Sequence, residues 1–359
     1  MADQVFRKPR LEWLDALRGF TMILVVAYHI CQTGFLTPQQ SSSSMQFLVL
    51  FRMPLFFFVS GFLAYKAGLV WDGRTLGRLL LKKLRVQTIP TIVFFFFGAA
   101  VLGRVFWPQV MSWLASPTKG GYWFTIVLLY MFIVYYLFCY IESKLKTKSW
   151  IPIALLFIIS LCCYETCYLP DYFDWAVGRK PHTSFMFYSS FNQLFMYFPF
   201  FLYGNIVRRY WDQAQRIMDS RWFYPIIILI AVFAALDSQF WHTLRRQWAI
   251  IPLTLARFVL LTIVFMYFRY YHQYFTQMTW IGRSLQYVGR RTLDIYLLHF
   301  LFLPNLPTIG TFFNTYRHNF IVDITLSVFL AVIIIGFCIV TSNVLRVSPF
   351  LKKYLFGRS

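Results

Sequence analysis

Residues 14–34 read LDALRGFTMILVVAYHICQTG. A helix needs about 20 mostly apolar residues to cross a bilayer, and this run supplies them with only Asp15, Arg18 and His29 as carboxylate, guanidinium or imidazole side chains. The stretch therefore predicts a membrane-spanning helix. Arg18 and His29 are eleven residues apart. At 100° per residue that is three turns plus about 20°, so both share one face, about 16 Å apart along the axis. Asp15 precedes Arg18 by one turn and is within pairing reach. Ionisable groups at membrane depth are costly and mark functional sites by default. The plainer reading is a snorkelling arginine and a histidine satisfied by a neighbouring helix.

The rest of the chain repeats the theme. Of 359 residues, 59% are hydrophobic, 21% aromatic and only 13% charged, and the mean hydropathy is +0.58. A water-soluble fold could not hide that much apolar surface, and disorder requires the opposite composition. Further apolar runs lie near 47–66, 86–104, 121–141, 150–168, 185–207, 222–239, 248–268, 286–304 and 320–341. The expected fold is all-α, a polytopic transmembrane bundle of about ten spans, treated as one integral-membrane domain over 1–359. No cleavable signal peptide is expected, because the first run is long enough to span and no small-residue cleavage site follows it.

The formal net charge of +21 would suggest nucleic acid in a soluble protein. Here the basic residues sit between apolar runs, and membrane loops explain them better; no nucleic-acid partner is expected. With the N-terminus in the cytoplasm, 24 of the 34 Lys and Arg fall in inside segments and seven in outside loops. Arg18, Arg52 and Arg257 remain at membrane depth. That bias predicts both termini on the cytoplasmic side. The six cysteines lie in or beside apolar runs and show no zinc spacing; Cys163 and Cys167 share a helix face but read as packing. No metal site is expected.

Several motifs resemble those of the membrane-bound acyltransferase-3 family, bacterial-type O-acyltransferases of envelope sugars and similar acceptors. Leu14-Asp15-Ala16-Leu17-Arg18-Gly19, followed by ten residues and His29, is similar to its opening signature. Pro54-Leu55-Phe56-Phe57-Phe58-Val59-Ser60-Gly61 resembles its second-helix motif. Lys82, Arg85 and Pro90 resemble its basic third-helix start, usually Arg-x-x-Arg followed by Pro; Lys82 departs from it and lacks the bidentate fork of arginine. Trp123-Phe124 resembles its fourth-helix start. Gly289-Arg290-Arg291-Thr292-Leu293-Asp294-Ile295-Tyr296-Leu297-Leu298-His299 resembles its late motif. The likeness is thin between 145 and 280.

The resemblance implies acyl transfer from acyl-CoA, with acetyl-CoA as co-substrate and no permanently bound cofactor. The acceptor would be a hydroxyl of an envelope glycan or lipid-linked saccharide, and the setting a bacterial-type inner membrane. The basic cluster Arg74, Arg78, Lys82 and Arg85 would meet the donor's phosphates through charge-assisted hydrogen bonds, although the positive-inside rule alone also accounts for it. His29 is expected to act as general base on the acceptor hydroxyl, its imidazole being suited to proton transfer near neutral pH. A covalent acyl-His29 intermediate is the alternative. Arg18 would position the donor or stabilise developing negative charge.

Other residues are supporting candidates. Asp15 would hold Arg18, and Arg52 would orient an acceptor or a carboxylate if it lines the same cavity. Ser60 is either a participant or a packing residue beside Gly61. Tyr296 and His299 are i,i+3 on the ninth run, His299 as a satisfied helix histidine or an acceptor-side group. Arg290 and Asp294, at i,i+4, are expected to pair. Arg257 is a candidate substrate contact, and Asp171, Asp174, His182 and Asp237 are candidate sugar contacts, with solvated loop positions as the simpler reading. A secondary transporter using buried Arg and His, a lipid-linked sugar flippase and a non-catalytic envelope scaffold are the competing functions.

Overall fold

The structure, a computed structural model, describes residues 11–356 apart from 104, 146, 169–184, 244–249 and 317. The described residues form helices and no strand. Those that matter here are α1 (Glu12–His29), α2 (Ser43–Ala64), α3 (Gly73–Lys83), α4 (Ile89–Leu102), α5 (Phe106–Ala115), α6 (Trp123–Glu142), α7 (Trp150–Thr166) and α8 (Phe191–Arg209). They are followed by α9 (Trp211–Met218), α10 (Phe223–Thr243), α11 (Ile250–Tyr270), α12 (Trp280–Arg290), α13 (Thr292–Phe302), α14 (Pro307–Phe313), α15 (Phe320–Leu345) and α16 (Pro349–Phe356).

Six helical stretches among the described residues are long and apolar enough to cross a membrane: Glu12–Gly34, Ser43–Ala64, Gly73–Leu102, Trp123–Glu142, Leu253–Tyr270 and Phe320–Leu345. Apolar stretches at Trp150–Thr166, Phe223–Phe233 and Thr292–Phe302 are shorter. The protein is an integral membrane helix bundle. α1 is its centre, with buried residues on all sides, whereas α15 presents Phe329, Val332, Phe337 and Val340 outward, as a lipid-facing helix does.

Close helix crossings are made at glycines, as membrane bundles without a hydrophobic driving force between helices require. A methyl group at Gly61 of α2 would lie 1.8 Å from the Phe201 carbonyl oxygen of α8, and one at Gly204 of α8 would lie 1.9 Å from the Phe58 oxygen of α2. The same device joins α1 to α12, where a methyl at Gly289 would lie 1.8 Å from the Asp15 oxygen. Gly61 is thus the packing half of the Ser60-Gly61 pair.

The ninth predicted run, 286–304, is corrected. The chain leaves the helix at Arg291 (φ −109°, ψ 13°) and divides into α12 and α13. Residues 280–290 interleave Arg283 and Arg290 with apolar groups, so this segment lies as an amphipathic helix against α1, and the apolar helix starts only at Thr292. The break also removes the expected Arg290–Asp294 pair, since i,i+4 register does not persist across it. Asp294 instead accepts from Arg346 Nη2 at 2.5 Å and Ser342 Oγ at 2.8 Å on α15. Arg290 Nε turns to Asp15 Oδ2 at 3.6 Å.

Candidate active site

His29 is the last residue of α1, at the point where the chain passes into a π-helical turn over Ile30–Gly34. A second π turn, Leu84–Thr88, follows Lys83 at the junction of α3 and α4. Such turns shift side-chain register by one position and are frequent at functional sites. The start of α3 is fixed by Asp72, whose carboxylate accepts from the Thr75 amide at 2.6 Å. That backbone hydrogen bond holds the Asp72 carboxyl below its ordinary range.

Two cavities open from opposite ends of this region. The first, of about 370 Å³, is lined by the basic residues Arg18, Lys66, Lys82 and Lys83 and by the polar Ser60, Gln87 and Thr292. The second, of about 890 Å³, is lined by His29, Arg52, Gln32, Trp123, Gln193 and Tyr197. A narrow space of about 30 Å³ lies between them, bounded by His29, Arg52, Phe56, Phe124 and Tyr296. Phe56, Phe124 and Tyr296 are shared with the first cavity, and His29, Arg52, Gly121 and Trp123 with the second. The helix ridge read from the sequence therefore runs from one cavity to the other, with Arg18 in the first and His29 at the neck.

The neck is rigidly built. Tyr296 of α13 donates its hydroxyl to the Gly121 carbonyl at 2.6 Å and accepts from the Phe124 amide at 3.2 Å, tying the late motif to the start of α6. Gly121 has φ +98°, and a methyl group there would lie 2.1 Å from the Phe300 ring. Only glycine combines that left-handed backbone with so close an approach. Ser60 donates to the Phe56 carbonyl at 2.9 Å, so its hydroxyl is committed to its own helix while the side chain still borders the first cavity.

Arg18 Nη2 donates to Thr292 Oγ1 at 2.8 Å, and Nη1 lies 3.7 Å from Asp15 Oδ1. Its side chain keeps 29% exposure, so the guanidinium is braced yet reaches the cavity. Lys83 stacks its ammonium 3.4 Å from the Phe132 ring centroid, a cation–π contact that leaves the donor hydrogens for a ligand. Arg52 is buried at 8% exposure, with its Cζ 3.3 Å from the Tyr28 ring centroid.

Of the donor-side residues singled out in the sequence, Lys82 borders the cavity. Arg74, Arg78 and Arg85 are exposed and stand outside its lining. Lys66, Lys83 and Gln87 were not singled out. Gln87, a lone amide in an apolar run, was open to the same membrane-depth argument that marked Arg18; its Nε2 donates to the Thr125 carbonyl at 2.6 Å. His299 is fully buried behind His29 and lines neither cavity. Arg257 donates to the hydroxyls of Tyr164 and Tyr168 at 2.7 and 2.5 Å and also stands off the cavity line. Asp171, Asp174 and His182 lie outside the described residues, as does the side chain of Asp237. A separate, largely apolar cavity of about 690 Å³ lies among α7, α8, α10 and α11, where Thr254 donates to Glu165 at 2.9 Å.

Chemically, the arrangement offers a cationic chamber, a neck with an imidazole, and a wider chamber of aromatic and amide groups. A family model described as an acyltransferase domain matches residues 11–343, which takes in every element of this line from α1 through the greater part of α15. No curated protein and no solved structure matches the chain.

Proposed function

The chain belongs to the acyltransferase-3 family, matched over nearly its whole length, and from that premise we propose that it moves an acetyl group from cytoplasmic acetyl-CoA to a hydroxyl of a cell-envelope saccharide. The observation that carries the reading is that two chambers adjoin one neck, which His29 borders. The 24-to-seven distribution of basic residues supports a cytoplasmic Arg18 end, with the inner membrane of a bacterial-type envelope as the proposed setting.

The donor is a polyanion with a long, thin pantetheine arm. Lys66, Lys82 and Lys83 line the chamber it would enter, and phosphate oxygens there would receive charge-assisted hydrogen bonds. Arg74, Arg78 and Arg85 form a basic approach outside it that steers a polyanion toward the opening. The arm passes Arg18 and brings the thioester to the neck. The saccharide enters the wider chamber, where Trp123 and Tyr197 offer ring faces.

His29 takes the proton from the acceptor hydroxyl as its oxygen attacks the thioester carbonyl. The tetrahedral intermediate collapses, the carbon–sulfur bond breaks, and the CoA thiolate leaves with the proton returned from the imidazole. Phe56, Phe124 and Tyr296 close the neck around the reacting atoms and limit hydrolysis. Ser60 and Asp15 support the geometry: Asp15 braces Arg18, and Ser60 shapes the chamber wall.

The test is transfer of radiolabelled acetyl from acetyl-CoA to envelope glycans in membranes carrying the protein. His29→Ala should abolish transfer while the protein remains in the membrane at normal amount. Near-normal transfer by that variant removes the mechanism. Uptake of labelled solute without acetylation would instead favour a transporter.

A further inference from the structure

Arg52 is set in the middle of α2, two residues before Pro54. It is 8% exposed, its Nε has no hydrogen-bond partner, and among the described residues no carboxylate pairs with it. Its near neighbour is a ring face, that of Tyr28. Arg18, Arg209 and Arg346 are placed differently, each within 4 Å of a carboxylate. Holding a buried charge without a counter-ion costs several kcal/mol, of which a desolvated cation–π contact returns on the order of 2 kcal/mol. The guanidinium faces both the neck and the wider chamber, and no acidic residue lines either among the described residues.

The rest of that chamber fits a sugar. Trp123 and Tyr197 stack with centroids 5.6 Å apart at 29°, an aromatic wall on which a pyranose face can lie. Gln32, Gln193 and Asn305 supply amides for hydroxyl groups, and Gln193 Oε1 is buried with no hydrogen-bond partner. Among the described residues the chamber has no anion that would balance Arg52.

We propose that Arg52 is the anion-reading group of the acceptor site, so that the acceptor is a saccharide bearing a carboxylate or a phosphate beside the hydroxyl presented to His29. The inference rests on the acyltransfer reading and adds to it the charge class of the acceptor. A planar guanidinium matches either oxyanion through two parallel hydrogen bonds. The anion would supply the missing counter-charge and fix which hydroxyl reaches the imidazole.

The experiment is calorimetric titration of the purified full-length protein in nanodiscs, without donor. The probes are octyl β-D-glucuronide, octyl β-D-glucoside 6-phosphate and the neutral octyl β-D-glucoside. At least one anionic probe should bind ten-fold or more tightly than the neutral one. Preference for the glucuronide identifies a carboxylate-bearing acceptor, and preference for the phosphate identifies a phosphorylated one. The preference should disappear in Arg52→Gln and be partly restored in Arg52→Lys, each checked for a monodisperse elution profile. Equal binding of all three probes, no binding of either anion, or a preference that survives Arg52→Gln overturns the proposal. Loss of acetyl transfer in His29→Ala alongside any of those results would leave the acyltransfer reading standing and remove only this one.

Discussion

The imidazoles of His29 and His299 lie with ring centroids 5.3 Å apart, tilted by 41°. His299 Nδ1 is 2.8 Å from the Tyr296 carbonyl and 3.1 Å from that of Ile295. Two acceptors at that nitrogen fix the proton there, so Nε2 carries the lone pair. His299 Nε2 and His29 Nδ1 are both buried without a hydrogen-bond partner. A shift that joins His29 Nδ1–H to His299 Nε2, a hydrogen bond not formed in this structure, would orient the proposed base, the role a carboxylate or carbonyl plays behind many catalytic histidines. His299→Phe should therefore lower kcat by roughly ten- to hundred-fold, the usual effect of losing such a support. KM for acetyl-CoA should hardly move, and His299→Asn should recover part of the rate. Steady-state transfer assays on the three proteins check this; a parallel rise in KM would mean that the variant disturbs the donor chamber instead.

Lys83 lines the cationic chamber half-buried and stacked on Phe132, whereas Lys66 and Lys82 are exposed. A charge-assisted hydrogen bond to phosphate contributes about 1.5–3 kcal/mol. Lys83→Gln should raise KM for acetyl-CoA by at least ten-fold and move kcat much less. Arg74→Gln and Arg78→Gln, on the exposed face of α3, should act mainly through salt-sensitive association, with an effect that fades as ionic strength rises. Initial rates against acetyl-CoA concentration at low and high salt separate the two behaviours.

The contrast between Lys83 and its neighbours marks where sequence reading stopped. The common ridge of Arg18 and His29 follows from helical periodicity alone, and the structure puts both on the cavity line. Which members of the run from Arg74 to Arg85 face inward depends on how α3 turns against α6, a tertiary property that positive charge does not report. The neck was equally hidden. Tyr296 meets Gly121 across 175 residues of sequence, and no local pattern announces a contact of that span. The Arg290–Asp294 expectation failed because helical spacing was carried across a break at Arg291, where two adjacent arginines leave the apolar period.

The glycine crossings give a prediction about stability. At Gly289 the group opposing a new methyl is the Asp15 backbone oxygen at 1.8 Å, and backbone cannot yield as a flexible side chain does. Gly289→Ala should force α12 away from α1 and lower stability by about 1–3 kcal/mol, the scale of an overpacked core. Because Asp15 braces Arg18, transfer activity should fall with it. Thermal denaturation in detergent, followed by size-exclusion chromatography, measures the first effect. Gly336, with no atom within 4 Å of a methyl placed on it, is the control: Gly336→Ala should leave the transition temperature unchanged or raise it, as helix propensity favours alanine.

Tyr296→Phe tests the neck itself. The substitution keeps the ring, and with it the contact to Phe124 at 5.4 Å, but removes the hydroxyl that bridges the Gly121 carbonyl and the Phe124 amide. Leaving those buried backbone groups unpaired costs about 1–3 kcal/mol, enough to let the start of α6 shift away from α13. The space there is about 30 Å³, already enough for one water where the substrates leave it unfilled, so widening the neck admits water beside the bound thioester. With His29, the proposed base, still in place, that water competes with the saccharide hydroxyl. Acetyl-CoA hydrolysis without acceptor should rise several-fold while transfer to glycan falls. A thiol-release assay run beside the radiolabel transfer assay reads both at once. A fall in both rates together would show that the tyrosine hydroxyl takes part in the transfer step and does more than seal the neck.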